Sequence, residues 1–125
     1  MWQNLVAIAL GGAIGSVLRY AVNLGFARHG GQFPWATFSV NAAGSFLFGV
    51  LAFVLLEKLP EAHTLRAFAL VGVLGAFTTF STFSYETLGL LQAGDFVRAA
   101  GNAIGSVIVC VLAAWGGLAL ARHVF

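Results

Sequence analysis

The residues with the most chemical potential stand in one run, Gly75-Ala76-Phe77-Thr78-Thr79-Phe80-Ser81-Thr82-Phe83-Ser84-Tyr85-Glu86. Five of the seven positions from Thr78 to Ser84 carry hydroxyls, inside a stretch that is otherwise apolar. Serine and threonine can bond their own helix backbone and bend it. With Gly75 just ahead, the run invites a local break in a helix. A broken helix offers carbonyls from its first half, which hold cations, and N–H groups from its second half, which favour anions. Phe77, Phe80 and Phe83 recur every third residue. That spacing serves packing, but a phenyl ring is also positive at its edge and can touch an anion without trapping it. Glu86, one turn past Thr82, is open to three roles: a hydrogen-bond acceptor, a proton site, or a residue near an interface.

Other polar groups are sparse. Asn41 lies in Val40-Asn41-Ala42-Ala43-Gly44-Ser45, within a stretch that carries no charge. Its amide suits either a hydrogen bond between helices or a donor on a polar path. Arg19 is the only charge in the first apolar stretch; it either reaches to the interface or forms a positive entrance for anions. Asn102 and Ser106 are four apart and share a helix face. With Asn41, Thr79 and Thr82 they can supply a polar track across three helices. Cys110 is the only cysteine, so an intramolecular disulfide or a multi-cysteine metal cage is excluded. It reads as a small apolar filler. His29, His63 and His123 are too far apart in sequence for a local ligand pair.

The elements that position these residues follow from composition. The chain is 60% hydrophobic and 8% charged, whereas a soluble domain is roughly 25% charged. Ten charged side chains cannot cover a soluble globule of 125 residues. An ordinary soluble enzyme, a disordered chain and a nucleic-acid binder are thereby excluded. The six Lys and Arg are scattered, which offers no patch for a polyanion. Four apolar stretches, about 3–26, 34–56, 65–92 and 96–121, fill the chain as one transmembrane domain. Each exceeds the roughly 20 helical residues needed to cross a bilayer. They do not alternate as barrel strands do, so helices are expected. The N-terminus has no basic region ahead of its apolar run, so a cleaved signal peptide is not expected.

Small residues and charge balance bear on assembly. Gly11 and Gly15, Ser45 and Gly49, and Gly101 and Gly105 are three pairs at small-xxx-small spacing, suited to packing within one subunit or between subunits. Lys58, Arg66 and Arg122 fall on one side of a four-span chain; Arg28 and Arg98 fall on the other, with Arg19 if it reaches upward. So small a bias either selects one orientation weakly or permits insertion both ways, which would allow an antiparallel homodimer.

Gly11-Gly12-Ala13-Ile14-Gly15 with Arg19-Tyr20, Val40-Asn41 with Gly44-Ser45-Phe46, and the run from Gly75 to Ser84 with Glu86 together resemble the CrcB/Fluc family of fluoride channels. The resemblance extends over all four spans in order. It implies an all-α membrane protein, with the third helix broken near its middle, assembled as an antiparallel dual-topology homodimer in the inner membrane of a prokaryote. It implies passive export of fluoride through two pathways per dimer. By the same resemblance Asn41, Thr79, Phe80, Thr82, Phe83 and Ser106 line or approach the pathways, and Arg19 and Glu86 serve the vestibule or support it. A structural Na⁺ at the dimer interface would be held by the backbone carbonyls of Gly75 and Thr78. The sequence departs from the family's pattern at Asn102, near a position that is often Tyr, and at Ala76, the second place of a usual Gly-Gly pair.

Two other readings compete. A small four-helix multidrug-type transporter would need an acid in its first span, and there is none. A non-transporting accessory subunit would explain the small residues but not the hydroxyl-rich run. No nucleophile–base pair, metal cluster or nucleotide-binding motif is visible, so neither an enzyme nor an active pump is expected.

Overall fold

A backbone in lipid must satisfy its own polar groups, and the computed structural model, which describes residues 1–125, contains helices and no strand. Helix α1 is Trp2–Phe26. Helix α2 runs over Trp35–Lys58, its last turns, Phe53–Lys58, wound as π-helix. Helix α3 covers residues 63–77 and is π-wound over Ala67–Leu74. Helices α4, Phe80–Gln92, and α5, Phe96–Val124, complete the chain. Taking α3 and α4 together as one crossing, four segments are long and apolar enough to span a membrane: Trp2–Phe26, Trp35–Lys58, His63–Gln92 and Phe96–Val124.

The helices pack chiefly as two pairs, α1 along the π-wound part of α3 and α2 along α5. Glycines set both contacts. A Cβ at Gly11 would lie 2.4 Å from the Phe68 carbonyl oxygen, and one at Gly15 would lie 2.1 Å from that of Val73. In the other pair, Gly49 faces the Ala114 carbonyl and Gly117 faces that of Phe46, each with 2.1 Å where a Cβ would stand. Close backbone approach of this kind is how helices associate where lipid is as apolar as the side chains. Gly11, Gly15 and Gly49 therefore pack within the subunit. Gly101 meets nothing within 4 Å, and Gly105 meets only the edge of the Phe38 ring at 4.0 Å.

The buried apolar cluster is small, with Leu55, Leu70 and Leu74 at its centre. Only 19 of 125 residues are buried, so most apolar side chains point off the subunit, as expected where the solvent is hydrocarbon. Charges gather at helix ends. Thr64 donates to Asn4 at 3.0 Å, and Arg122 pairs with Glu57 at 3.8 Å; these contacts place the starts of α1 and α3 together and the ends of α2 and α5 together. At the start of α5, the Asp95 carboxylate accepts the Arg98 N–H at 3.1 Å, and the Arg98 guanidinium also donates to Gln32 at 3.0 Å. The side-chain hydrogen bond from Arg98 holds the Asp95 carboxyl below the usual carboxylate range.

Candidate functional site

The third crossing is interrupted where the hydroxyl run begins. Thr78 (ψ 157°) and Thr79 (φ −152°) are extended, between the last helical residue of α3 and the first of α4. Local chemistry explains both edges. The Thr78 hydroxyl donates to the Leu74 carbonyl at 2.9 Å, a bond to its own preceding turn. The Thr79 hydroxyl accepts the Thr82 N–H at 3.2 Å, which makes Thr79 the N-cap of α4. That hydroxyl also donates to the Thr82 hydroxyl at 3.0 Å.

Asn41, on α2, closes the gap from the side. Its Oδ1 accepts the Thr79 N–H at 2.7 Å, and its Nδ2 donates to the Thr79 carbonyl at 3.0 Å. The Thr79 N–H would otherwise bond the Gly75 carbonyl, and the Thr82 N–H would otherwise bond the Thr78 carbonyl. Both donors point elsewhere, so the Gly75 and Thr78 carbonyls lack their usual helical donors. These are hard oxygen donors of the kind that suit a small cation. Asn41 retains one N–H beyond the two bonds it makes.

A cleft of about 440 Å³ opens beside this interruption. Asn41, Thr78, Thr79, Phe80, Phe83 and Ser106 line it, with Gly44, Ser45 and Cys110 farther along. The Phe80 and Phe83 rings lie 5.4 Å apart, centroid to centroid, tilted by 44°. Phe80 is 78% exposed on the isolated subunit, so its ring projects beyond the surface. The structure thus brings Asn41, Thr79, Phe80, Phe83 and Ser106 together. Thr82 stands behind Thr79 and does not line the cleft. Phe77 packs at Gly44, where a Cβ would lie 3.3 Å from its ring and 2.2 Å from Thr78 Cγ2. Gly75 faces outward from the subunit, and Arg19, half-buried on α1, lies apart from this cleft.

Two residues that carried no sequence signal strong enough to single them out belong to the polar set. Thr37, one turn before Asn41 on α2, is 3% exposed and donates to Glu86 Oε1 at 2.9 Å. Thr87 donates to the Phe83 carbonyl at 2.7 Å and accepts from Asn102 at 2.9 Å. The spacing of Thr37, Asn41 and Ser45, four residues apart each time, was the available clue. Glu86 is therefore held as a hydrogen-bond acceptor, and its Oε2 is buried with no protein partner. Replacing Thr37 with valine removes the one protein hydrogen bond this carboxylate accepts. The expected result is a loss of about 1–3 kcal/mol in unfolding experiments in detergent, recovered by Thr37→Ser.

Comparison with known proteins adds to this geometry. The family model for CrcB-like, camphor-resistance proteins matches residues 6–118. The "Fluoride-specific ion channel FluC" of Magnetococcus marinus is 51% identical over 121 residues, covering 96% of this chain and 98% of that protein. The protein of the same name from Geobacter sulfurreducens is 43% identical, covering 96% of this chain and 98% of the relative. The one from Methylococcus capsulatus is 46% identical over 96% of this chain, which spans only 53% of that longer relative. Helices that can cross a membrane four times, and a family match over nearly all of their length, identify the chain as a multi-pass membrane protein of the CrcB family.

Proposed function

We propose that this protein is a fluoride-selective channel that lets the anion leave the cell down its electrochemical gradient, working as an antiparallel homodimer with two pathways. The observation that carries the reading is the cleft itself. An amide N–H, two phenylalanine rings and a serine meet there at a helix interruption, in a chain whose relatives bear the name of fluoride channels.

Fluoride is small and strongly hydrated, so a path must replace the hydrogen bonds of its water shell. The spare N–H of Asn41 offers a donor at the level of the interruption. Phe80 and Phe83 add ring edges, which attract an anion weakly. Conduction requires entry that is favourable and retention that is slight, and an ammonium group would violate the second condition. No Lys or Arg lines the cleft.

The dimer completes what one subunit leaves open. Phe80 projects from the surface, Gly75 faces outward, and Gly101 and Gly105 find almost no packing inside the subunit. A second copy apposed there would wall the cleft with protein, which backbone exposed at membrane depth requires. The carbonyls of Gly75 and Thr78 fit a structural Na⁺ between the copies, because both lack their helical donors. A cation so held supplies positive charge that offsets the anion on each side. This chain's residues do the rest: they hold the gap open, present donors and exclude lipid.

The test is efflux from liposomes that contain only the purified chain, loaded with fluoride or chloride, with K⁺ and valinomycin setting the voltage. Rapid fluoride release with chloride retained is the expected result. Release of neither anion, or of both equally, by verified folded dimers would overturn the reading.

A further inference from the structure

We infer that Asn102 is a positioning residue that fixes the direction of the Ser106 hydroxyl proton and competes with the transported anion for it. The inference rests on the channel reading above.

The direction of every bond in the set follows from one backbone carbonyl. The Thr87 hydroxyl donates to the Phe83 carbonyl at 2.7 Å, within its own helix, and that uses its only proton. Thr87 therefore meets Asn102 as an acceptor, and the amide nitrogen must face it, at 2.9 Å. That turns Asn102 Oδ1 toward Ser106. The Ser106 hydroxyl donates to it at 3.3 Å. Asn102 is 1% exposed and Ser106 5%, so bulk solvent offers no easy substitute for either bond. The amide orientation, elsewhere a free choice, is set here by Thr87.

Ser106 also lines the cleft. With its proton turned to Asn102, it shows the cleft its oxygen lone pairs, which repel an anion. Fluoride can only accept a hydrogen bond, so Ser106 serves it only when the hydroxyl rotates away from Asn102. Rotation is feasible because 3.3 Å is long for an O–H···O bond, whose usual length is about 2.7–2.8 Å. It has a cost, because Asn102 Oδ1 is then left buried without a donor. Asn102 thus slows the step at which the ion engages Ser106.

Two variants release the proton by different routes. Asn102→Leu keeps the side-chain volume and removes the acceptor; Thr87 keeps its bond to Phe83. Thr87→Val removes the group that orients the amide, so Nδ2 can turn to Ser106 and the serine proton to the cleft. Both are expected to raise the fluoride efflux rate of reconstituted dimers about five- to tenfold over the unmodified chain, with chloride still retained. A residue that only packs or braces the helices would give the reverse, slower efflux and lower thermal stability in both. Efflux that is unchanged or slower in both folded variants, beside normal efflux by the unmodified chain, overturns this inference alone. No fluoride efflux from the unmodified chain overturns the channel reading and this inference with it.

Discussion

Asn41→Leu is expected to abolish fluoride release and to destabilise the folded subunit by roughly 2–6 kcal/mol. Asn41 satisfies the N–H and the carbonyl of Thr79 at the interruption. Leucine fills a similar volume but satisfies neither, and Thr79 is 8% exposed, so water does not readily replace the amide. Each orphaned backbone group costs about 1–3 kcal/mol, and two are orphaned together. The variant also loses the spare N–H of an amide that lines the cleft. Asn41→Asp separates the two effects. An ionised aspartate keeps the acceptor for the Thr79 N–H and so retains part of the stability. It places negative charge on the cleft wall and should pass no fluoride. Denaturant unfolding in detergent, paired with efflux on the same preparations, measures both quantities. Equal stability in Asn41→Leu and the unmodified chain would mean that Asn41 does not hold the gap.

The second large effect belongs to the glycine contacts. Gly15→Ala and Gly49→Ala are each expected to cost about 1–3 kcal/mol or to prevent folding, because the obstructing atoms are backbone carbonyls rather than movable side chains. Gly12→Ala is the control: nothing lies within 4 Å of its Cβ position, and alanine favours helix over glycine by up to about 1 kcal/mol. Gly12 and Gly15 lie one turn apart on the same helix, so the contrast reports packing rather than helix propensity. Gly101→Ala addresses the other face. If a second copy packs there, this substitution weakens the dimer and leaves the subunit folded, which the oligomeric state in detergent reads directly.

The sequence makes the four crossings plain because ten charges in 125 residues can only punctuate apolar runs. It also brings out most of the cleft. Asn41, Thr79 and Ser106 are polar groups at membrane depth, where each needs a reason, and Phe80 and Phe83 share the spacing of the hydroxyl run. Which helix meets which is less legible. The spans are apolar on nearly every face, so no stripe of residues marks the pairing of α1 with α3 or of α2 with α5. The glycines mark close approach without naming a partner: Gly11 and Gly15 find one within the subunit, whereas Gly101, at the same spacing from Gly105, does not. Side-chain bonding is hidden for a different reason. Threonine is common in such helices, and nothing in the residue type distinguishes Thr37, bonded to Glu86, from Thr82, bonded to Thr79. The three phenylalanines divide because the extended Thr78 and Thr79 separate Phe77, on α3 against Gly44, from Phe80 and Phe83, on α4 at the cleft.

The most direct measurement is the reversal potential of current through the purified protein in a planar bilayer, with fluoride at unequal concentrations and chloride in equal excess on both sides. The account predicts a current that reverses at the equilibrium potential of fluoride and stays there when chloride is made unequal. Reversal that follows the chloride gradient, or no current from dimers shown to be folded and inserted, would contradict it.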